Sequence, residues 1–166
     1  MTKDGIWTID NKKELKLLRK KMADFDFKRH SKKEIQELIQ KMRLIMKRAS
    51  GIGLSANQIG LDANVFVAET DGKFYAVFNP KIAKTSEETA DFEEGCLSVP
   101  EVYGPVNRPA KITLEGTDKN GKPLKIKAWG LLARIFQHEV DHLNGAIFID
   151  KTKELYKYQK NNKVGN

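Results

Sequence analysis

The chain has 166 residues, of which 40% are hydrophobic and 31% charged. That length suits one domain with a single core. No apolar run approaches the roughly 20 residues that cross a bilayer, so no membrane partner is expected. The net charge of +8 is uneven, with 15 Lys and Arg against 7 Asp and Glu in residues 1–50, 10 against 13 in 51–148, and 5 against 2 in 149–166. Two basic ends suit contact with a polyanion such as RNA. Their other reading is solvated helix faces. Nothing points to sequence-specific DNA binding. The first residues lack the apolar stretch of a secretory signal, and a cytoplasmic or organellar location is expected. Cys96 is the one cysteine, so no intrachain disulfide is available.

Along the chain, Leu15, Leu18 and Met22 are spaced for one helical face. A stronger helix begins at Ser31, where Ser31-Lys32-Lys33-Glu34 reads as a capping box. Ile35, Leu38, Ile39, Met42, Ile45 and Met46 then recur at helical spacing until Ala49-Ser50-Gly51 ends the stripe. In the next segment, residues 51–58, Gly51 and Gly53 with small neighbours suggest a loop passing close to something. It is no phosphate loop, because no Gly-Lys-Ser/Thr follows and a helix precedes it. Residues 65–68 and 74–78 flank Asp71-Gly72 as a hairpin, with Pro80 expected to close the second strand. Residues 111–115 and 124–127 form another around Asn120-Gly121. Leu131 to His142 fits a helix ended by Leu143-Asn144-Gly145. The reading is α+β: mostly antiparallel strands packed around a central helix, with helices at the N-terminus.

That last helix carries His138-Glu139-Val140-Asp141-His142. Its two histidines lie one turn apart on one face and can share a divalent metal, with Glu139 beside them. A catalytic site needs a third protein ligand and an open position. Six residues after His142, where some metalloproteases place a third histidine, stands Phe148. Glu154 lies beyond the Asn144-Gly145 break, and His30 sits in a Lys/Arg-rich segment. That leaves Cys96, whose thiolate suits a borderline or soft metal. At this stage an ordinary zinc peptidase and a non-enzymatic RNA-binding module with a structural metal remain open.

Taken together, three segments resemble the peptide deformylases. Residues 51–58 are similar to that family's G-x-G-L-A-A-x-Q motif, residues 94–100 to E-G-C-L-S-x-P, and residues 137–145 to Q-H-E-x-D-H-L-x-G. Ser55 departs from the usual alanine, and Tyr103 stands where some members carry an arginine. The first 30 residues lack the family's usual opening. The resemblance implies one catalytic domain spanning residues 1–166 that removes the formyl group from the N-terminal methionine of newly made proteins. It implies Cys96, His138 and His142 as metal ligands, with water as fourth ligand and nucleophile. Glu139 is then the general base and acid, with the Gln58 side chain and the Leu97 N–H as oxyanion donors. Gly53 and Gly51 would wall the formyl site, and Ile52, Leu131 and Ile135 would line a methionine pocket, although all three apolar residues equally fit ordinary core. The implied metal is Fe2+, with Zn2+ or Ni2+ able to occupy the same ligands. The implied partners are N-formylmethionyl nascent peptides and the ribosome, the latter through the basic ends.

Overall fold

The computed structural model describes residues 1–2 and 4–157. Helix α1, Lys12–Leu18, is capped by Asn11, whose side chain accepts from the N–H groups of Lys13 and Glu14. It stops four residues before Met22, which nonetheless packs into the core. The expected face is therefore part helix and part extended chain. Helix α2, Lys32–Arg48, starts on the expected capping box. The Ser31 Oγ accepts from Glu34 N at 3.2 Å, and Glu34 Oε2 accepts from Ser31 N at 2.7 Å.

At its far end the N–H groups of Gly51 and Ser50 return to Met46 O and Lys47 O. This closure places Ser50, not a glycine, in the left-handed region, at φ 56°. At Gly51, one residue later, an added Cβ would come within 2.7 Å of Leu97 Cδ1 and push that side chain aside.

Five antiparallel strands form the larger sheet in the order β1 (Gly53–Ser55), β2 (Val65–Thr70), β3 (Lys73–Thr85), β6 (Lys111–Thr117), β7 (Pro123–Trp129). A smaller sheet pairs β4 (Thr89–Cys96) with β5 (Val99–Pro109) and then β8 (Tyr156–Lys157). Asp71 and Gly72 take φ 50° and 71°, as a two-residue hairpin turn requires. Pro80 does not end its strand. A register shift between Phe78 and Lys81 absorbs the missing donor, and β3 continues to Thr85. Asn79, at φ 48°, turns its side chain to Phe25, accepting from Phe25 N at 2.7 Å and donating to Phe25 O at 3.0 Å.

Strand β2 explains the core. Val65, Phe66, Val67 and Ala68 are all fully buried, because both faces of the sheet are covered. Val65 and Val67 meet Ile35, Ile39, Met42 and Met46 of α2. Phe66 and Ala68 meet Ala133, Phe136 and Leu143 of helix α3, Gly130–Leu143. Truncating a fully buried ring such as Phe136 costs about 3–5 kcal/mol. A third cluster, with Leu18, Val99, Val106, Ile147 and Phe148, packs the smaller sheet. The α+β reading therefore holds, with antiparallel sheets and three α-helices among the described residues, α3 packing against the larger sheet. No helix among the described residues is long and apolar enough to cross a membrane.

Candidate metal centre and active site

Two elements, helix α3 and strand β4, bring the donors together. Helix α3 supplies His138 and His142, whose Nε2 atoms are 3.2 Å apart. Strand β4 ends at Cys96, whose Sγ is 3.0 Å from His142 Nε2. A bulge between Gly95 and Cys96 and the two-residue turn Leu97-Ser98 aim the thiol inward. The three donor atoms lie within 4.8 Å of one another and could hold one metal ion.

The donor chemistry passes a stricter test. The Nδ1 of His138 is 3.0 Å from Glu94 Oε2. A carboxylate there accepts the Nδ1 proton and leaves the Nε2 lone pair facing Cys96 and His142. Burial opposes ionisation of Cys96, but His142 and His138 outweigh it and hold the thiol well below its ordinary pKa. Burial likewise disfavours a charged His138, yet Cys96 and Glu94 pull it well above the ordinary value. Such a cluster attracts a cation, so protons and a divalent metal compete for it.

Glu94 itself is fully engaged. Its Oε1 accepts from Arg108 Nε at 2.6 Å and Arg134 Nη1 at 2.7 Å. Oε2 takes Arg108 Nη2 at 2.9 Å together with the His138 contact. Burial alone would raise its pKa; Arg108 and His138 hold it well below the usual carboxylate range. Arg108, 4% exposed, also donates to Asp141 Oδ2 at 2.7 Å. Arg134 donates in addition to the backbone oxygens of Val106 and Ala90. This network ties β4, β5 and α3 into one frame behind Cys96, His138 and His142.

Glu139 is 3% exposed. Desolvation is the largest influence on it and raises its pKa, against the opposing pull of His138, His142 and Ser55. A buried carboxylate whose pKa is raised by desolvation is a candidate for proton transfer. Its room depends on Gly53, where a Cβ would overlap Glu139 Oε1 and lie 3.1 Å from Ile135 Cγ2. Strand β1 and the 3-10 turn Ala56–Ile59 thus replace the loop expected for residues 51–58. Within that turn Gln58 is pinned, its Oε1 accepting from Ser55 N at 2.9 Å and its Nε2 donating to Ser98 Oγ at 3.1 Å. The same Nε2 is 3.6 Å from Cys96 Sγ.

A cleft of about 550 Å³ opens over these groups. Its walls include Gly51, Ile52, Gly53, Gln58, Cys96, Leu97, Leu131, Ile135, His138 and Glu139, while His142 lies buried behind them. The geometry thus gathers every residue singled out from the sequence. Ile52 and Leu131 are exposed at 48% and 54%, so they are wall and not core; Ile135 is both, at 4%.

Sequence reasoning gave no role to Arg108, Arg134 and Asp141, or to the N-terminal Thr2, Asp4 and Ile6, which also line or frame the cleft. The signal available was a buried-charge pattern: Glu94 and Asp141 both sit inside the quoted motifs. The N-terminal segment carried none. Its anchors are main-chain bonds, Trp7 N to Gln58 O at 2.7 Å and Ile9 N to Ser98 O at 3.0 Å.

Known proteins resemble this chain in both sequence and fold. The polypeptide deformylase family profile matches residues 5–158. This chain belongs to the polypeptide deformylase family. Family members are enzymes that hydrolyse the N-formyl group of nascent peptides with the help of a metal. The peptide deformylase of Rhizobium meliloti is 46% identical over 127 residues, covering 74% of this chain and 73% of that protein. That of Treponema pallidum is 41% identical over 121 residues, covering 73% and 75% respectively. The crystal structure of a peptide deformylase from Synechococcus elongatus in complex with actinonin superposes with a TM-score of 0.81 at 34% identity, covering 90% of this chain and 78% of that one. The family profile thus includes the N-terminal segment from residue 5, where sequence motifs were silent.

Proposed function

We propose that this deformylase removes the formyl group from N-terminal methionine using Cys96, His138 and His142 as ligands of one divalent metal and Glu139 as general base and acid. The observation that carries this reading is the convergence of the three donor atoms within 4.8 Å beside a buried, pKa-raised carboxylate in one cleft. A bound divalent ion supplies Lewis acidity, making water nucleophilic near neutral pH and polarising a carbonyl. Glu139 accepts the proton of the attacking water and delivers it to the amine as the C–N bond breaks, giving formate and a free α-amine. The Gln58 amide, held by Ser55 N and Ser98 Oγ, and the Leu97 N–H in the turn after Cys96 are the oxyanion donors.

Gly51 and Gly53 leave a tight wall that suits a carbonyl bearing only hydrogen, and Ile52, Leu131 and Ile135 are the apolar lining for methionine. The metal in this reading is Fe2+, with Zn2+ or Ni2+ compatible with the same thiolate and imidazoles. The whole chain acts as one catalytic domain in the cytoplasm of a bacterial-type cell or an organelle. The charge distribution further supports ribosome contact through the basic ends. Residues 158–166, part of the C-terminal basic end, lie outside the described residues.

The test is anaerobic purification, with metal analysis and formate release measured on the same sample. Formyl-Met peptide is cleaved, whereas acetyl-Met peptide and internal peptide bonds are not. Cleavage of internal bonds at comparable rates would make the protein a peptidase instead. Faster loss of activity in air by the iron form than by the zinc form supports iron beside the thiolate. Truncation after Ile149, which removes the C-terminal basic end, is expected to weaken ribosome sedimentation at low salt; unchanged sedimentation across a salt series moves the contact to residues 1–50.

A further inference from the structure

Ser55, where the family motif has alanine, is fully buried at the end of β1. Its Oγ is 2.7 Å from Glu139 Oε2 and 3.0 Å from the Glu139 backbone oxygen. A hydroxyl has one proton to give. The backbone oxygen belongs to the bonding ladder of α3, and the carboxylate is both nearer and ionisable, so the proton goes to Oε2.

The other carboxylate oxygen, Oε1, faces Gly53, where a Cβ would overlap it. Gly53 and Ser55 are two residues apart on one strand and so share a face. They bracket the carboxylate: one grips Oε2, and the other leaves space at Oε1 beside the cleft. A second contact keeps the strand in place without the hydroxyl. Asn57 Nδ2 donates to His142 O at 2.7 Å, fastening the following turn to α3. The Gln58 amide is held by the backbone N–H of Ser55, which no side-chain change removes.

We propose that Ser55 is a positioning residue for deformylation, its hydroxyl holding the Glu139 carboxylate with Oε1 presented to the cleft. The proposal rests on the reading of Glu139 as the base. In this chain the base's orientation is set by a side-chain bond that an alanine at this position cannot make. Loss of the bond frees the carboxylate to rotate while leaving substrate walls and metal ligands untouched.

The experiment compares Ser55→Ala and Ser55→Cys with wild type by kcat, KM for a formyl-Met peptide and bound metal. Both variants should lower kcat about 10–100-fold, because a thiol is a weak donor, with KM and metal content unchanged. Turnover within about twofold of wild type in both would overturn the proposal, since a lost orienting bond costs more. So would a raised KM or lost metal with kcat intact, which marks a merely structural role. In a Glu139→Gln background Ser55→Ala should add no further loss, and an equal additional loss would overturn it. Near-wild-type turnover by Glu139→Gln alone would instead overturn the assignment of the base, and this proposal with it.

Discussion

Glu94 concentrates the buried electrostatics of the site, accepting from Arg108, Arg134 and His138 with both oxygens. Replacing it by glutamine removes the charge that fixes the His138 tautomer and leaves Arg108 short of a partner. Glu94→Gln is expected to weaken metal binding about 10–100-fold and to destabilise the metal-free protein by roughly 3–5 kcal/mol. Chelator competition and urea unfolding check the two effects separately. The Cys96, His138 and His142 cluster was legible in the sequence because a metal site of this kind demands particular residue types at particular spacing: two histidines one turn apart, one thiol, one adjacent carboxylate. The job of Glu94 was not legible, although the residue sat inside a recognised motif. Its partners come from β5 and α3, and only the fold places them around it. Ser55 was visible only as a departure, since nothing in sequence says that its hydroxyl meets Glu139.

At the scale of elements, the ion pair between α2 and β2 has a definite pH signature. Glu69 on β2 accepts from Arg43 Nε at 2.8 Å and meets Lys47 Nζ at 3.1 Å, and these partners lower its pKa to about 2. A carboxylate whose folded pKa is depressed contributes stability above its unfolded value, near about 4.3, and loses that contribution as pH falls through the folded value. The stability gap between wild type and Glu69→Gln is therefore expected to be full at neutral pH and to close between about pH 5 and pH 2. Urea midpoints measured across that range check it; a constant gap would contradict it.

Strand β8 offers a second case. Tyr156 pairs with Tyr103, ring centroids 6.3 Å apart, and Tyr103 also lines the cleft above Gly95. Truncation after Lys153 is expected to raise KM for a short formyl-Met peptide about 2–10-fold with bound metal unchanged, as steady-state kinetics will show. The hairpins at Asp71-Gly72 and Asn120-Gly121 and helix α2 were legible from turn residues and periodicity. Strands β4 and β5 were not. One face of the small sheet is solvated, Phe92 stands 61% exposed, and Glu101 turns at φ 63°, so apolar alternation never builds up.

For the molecule as a whole, β1 is an edge strand of the larger sheet and β4 an edge strand of the smaller, with α3 carrying the histidines between them. The donors that could hold a metal thus come from β4 and α3, and the neighbours of Glu139 from β1. No part of the site exists before the fold does, and metal binding is linked to folding. Stripping the metal with a chelator is expected to lower the unfolding temperature by about 5–10 °C, the equivalent of losing about 2.7 kcal/mol at a metal concentration 100 times the dissociation constant. Differential scanning calorimetry of the loaded and stripped protein checks this. The proposed chemistry depends most directly on Glu139 moving the proton beside the metal held by Cys96, His138 and His142. The deciding measurement is formate release from a formyl-Met peptide by Glu139→Gln, with bound metal quantified in the same preparation. The expected result is wild-type metal content with turnover reduced about 10²–10⁴-fold. Turnover within a few-fold of wild type at equal metal content would contradict it.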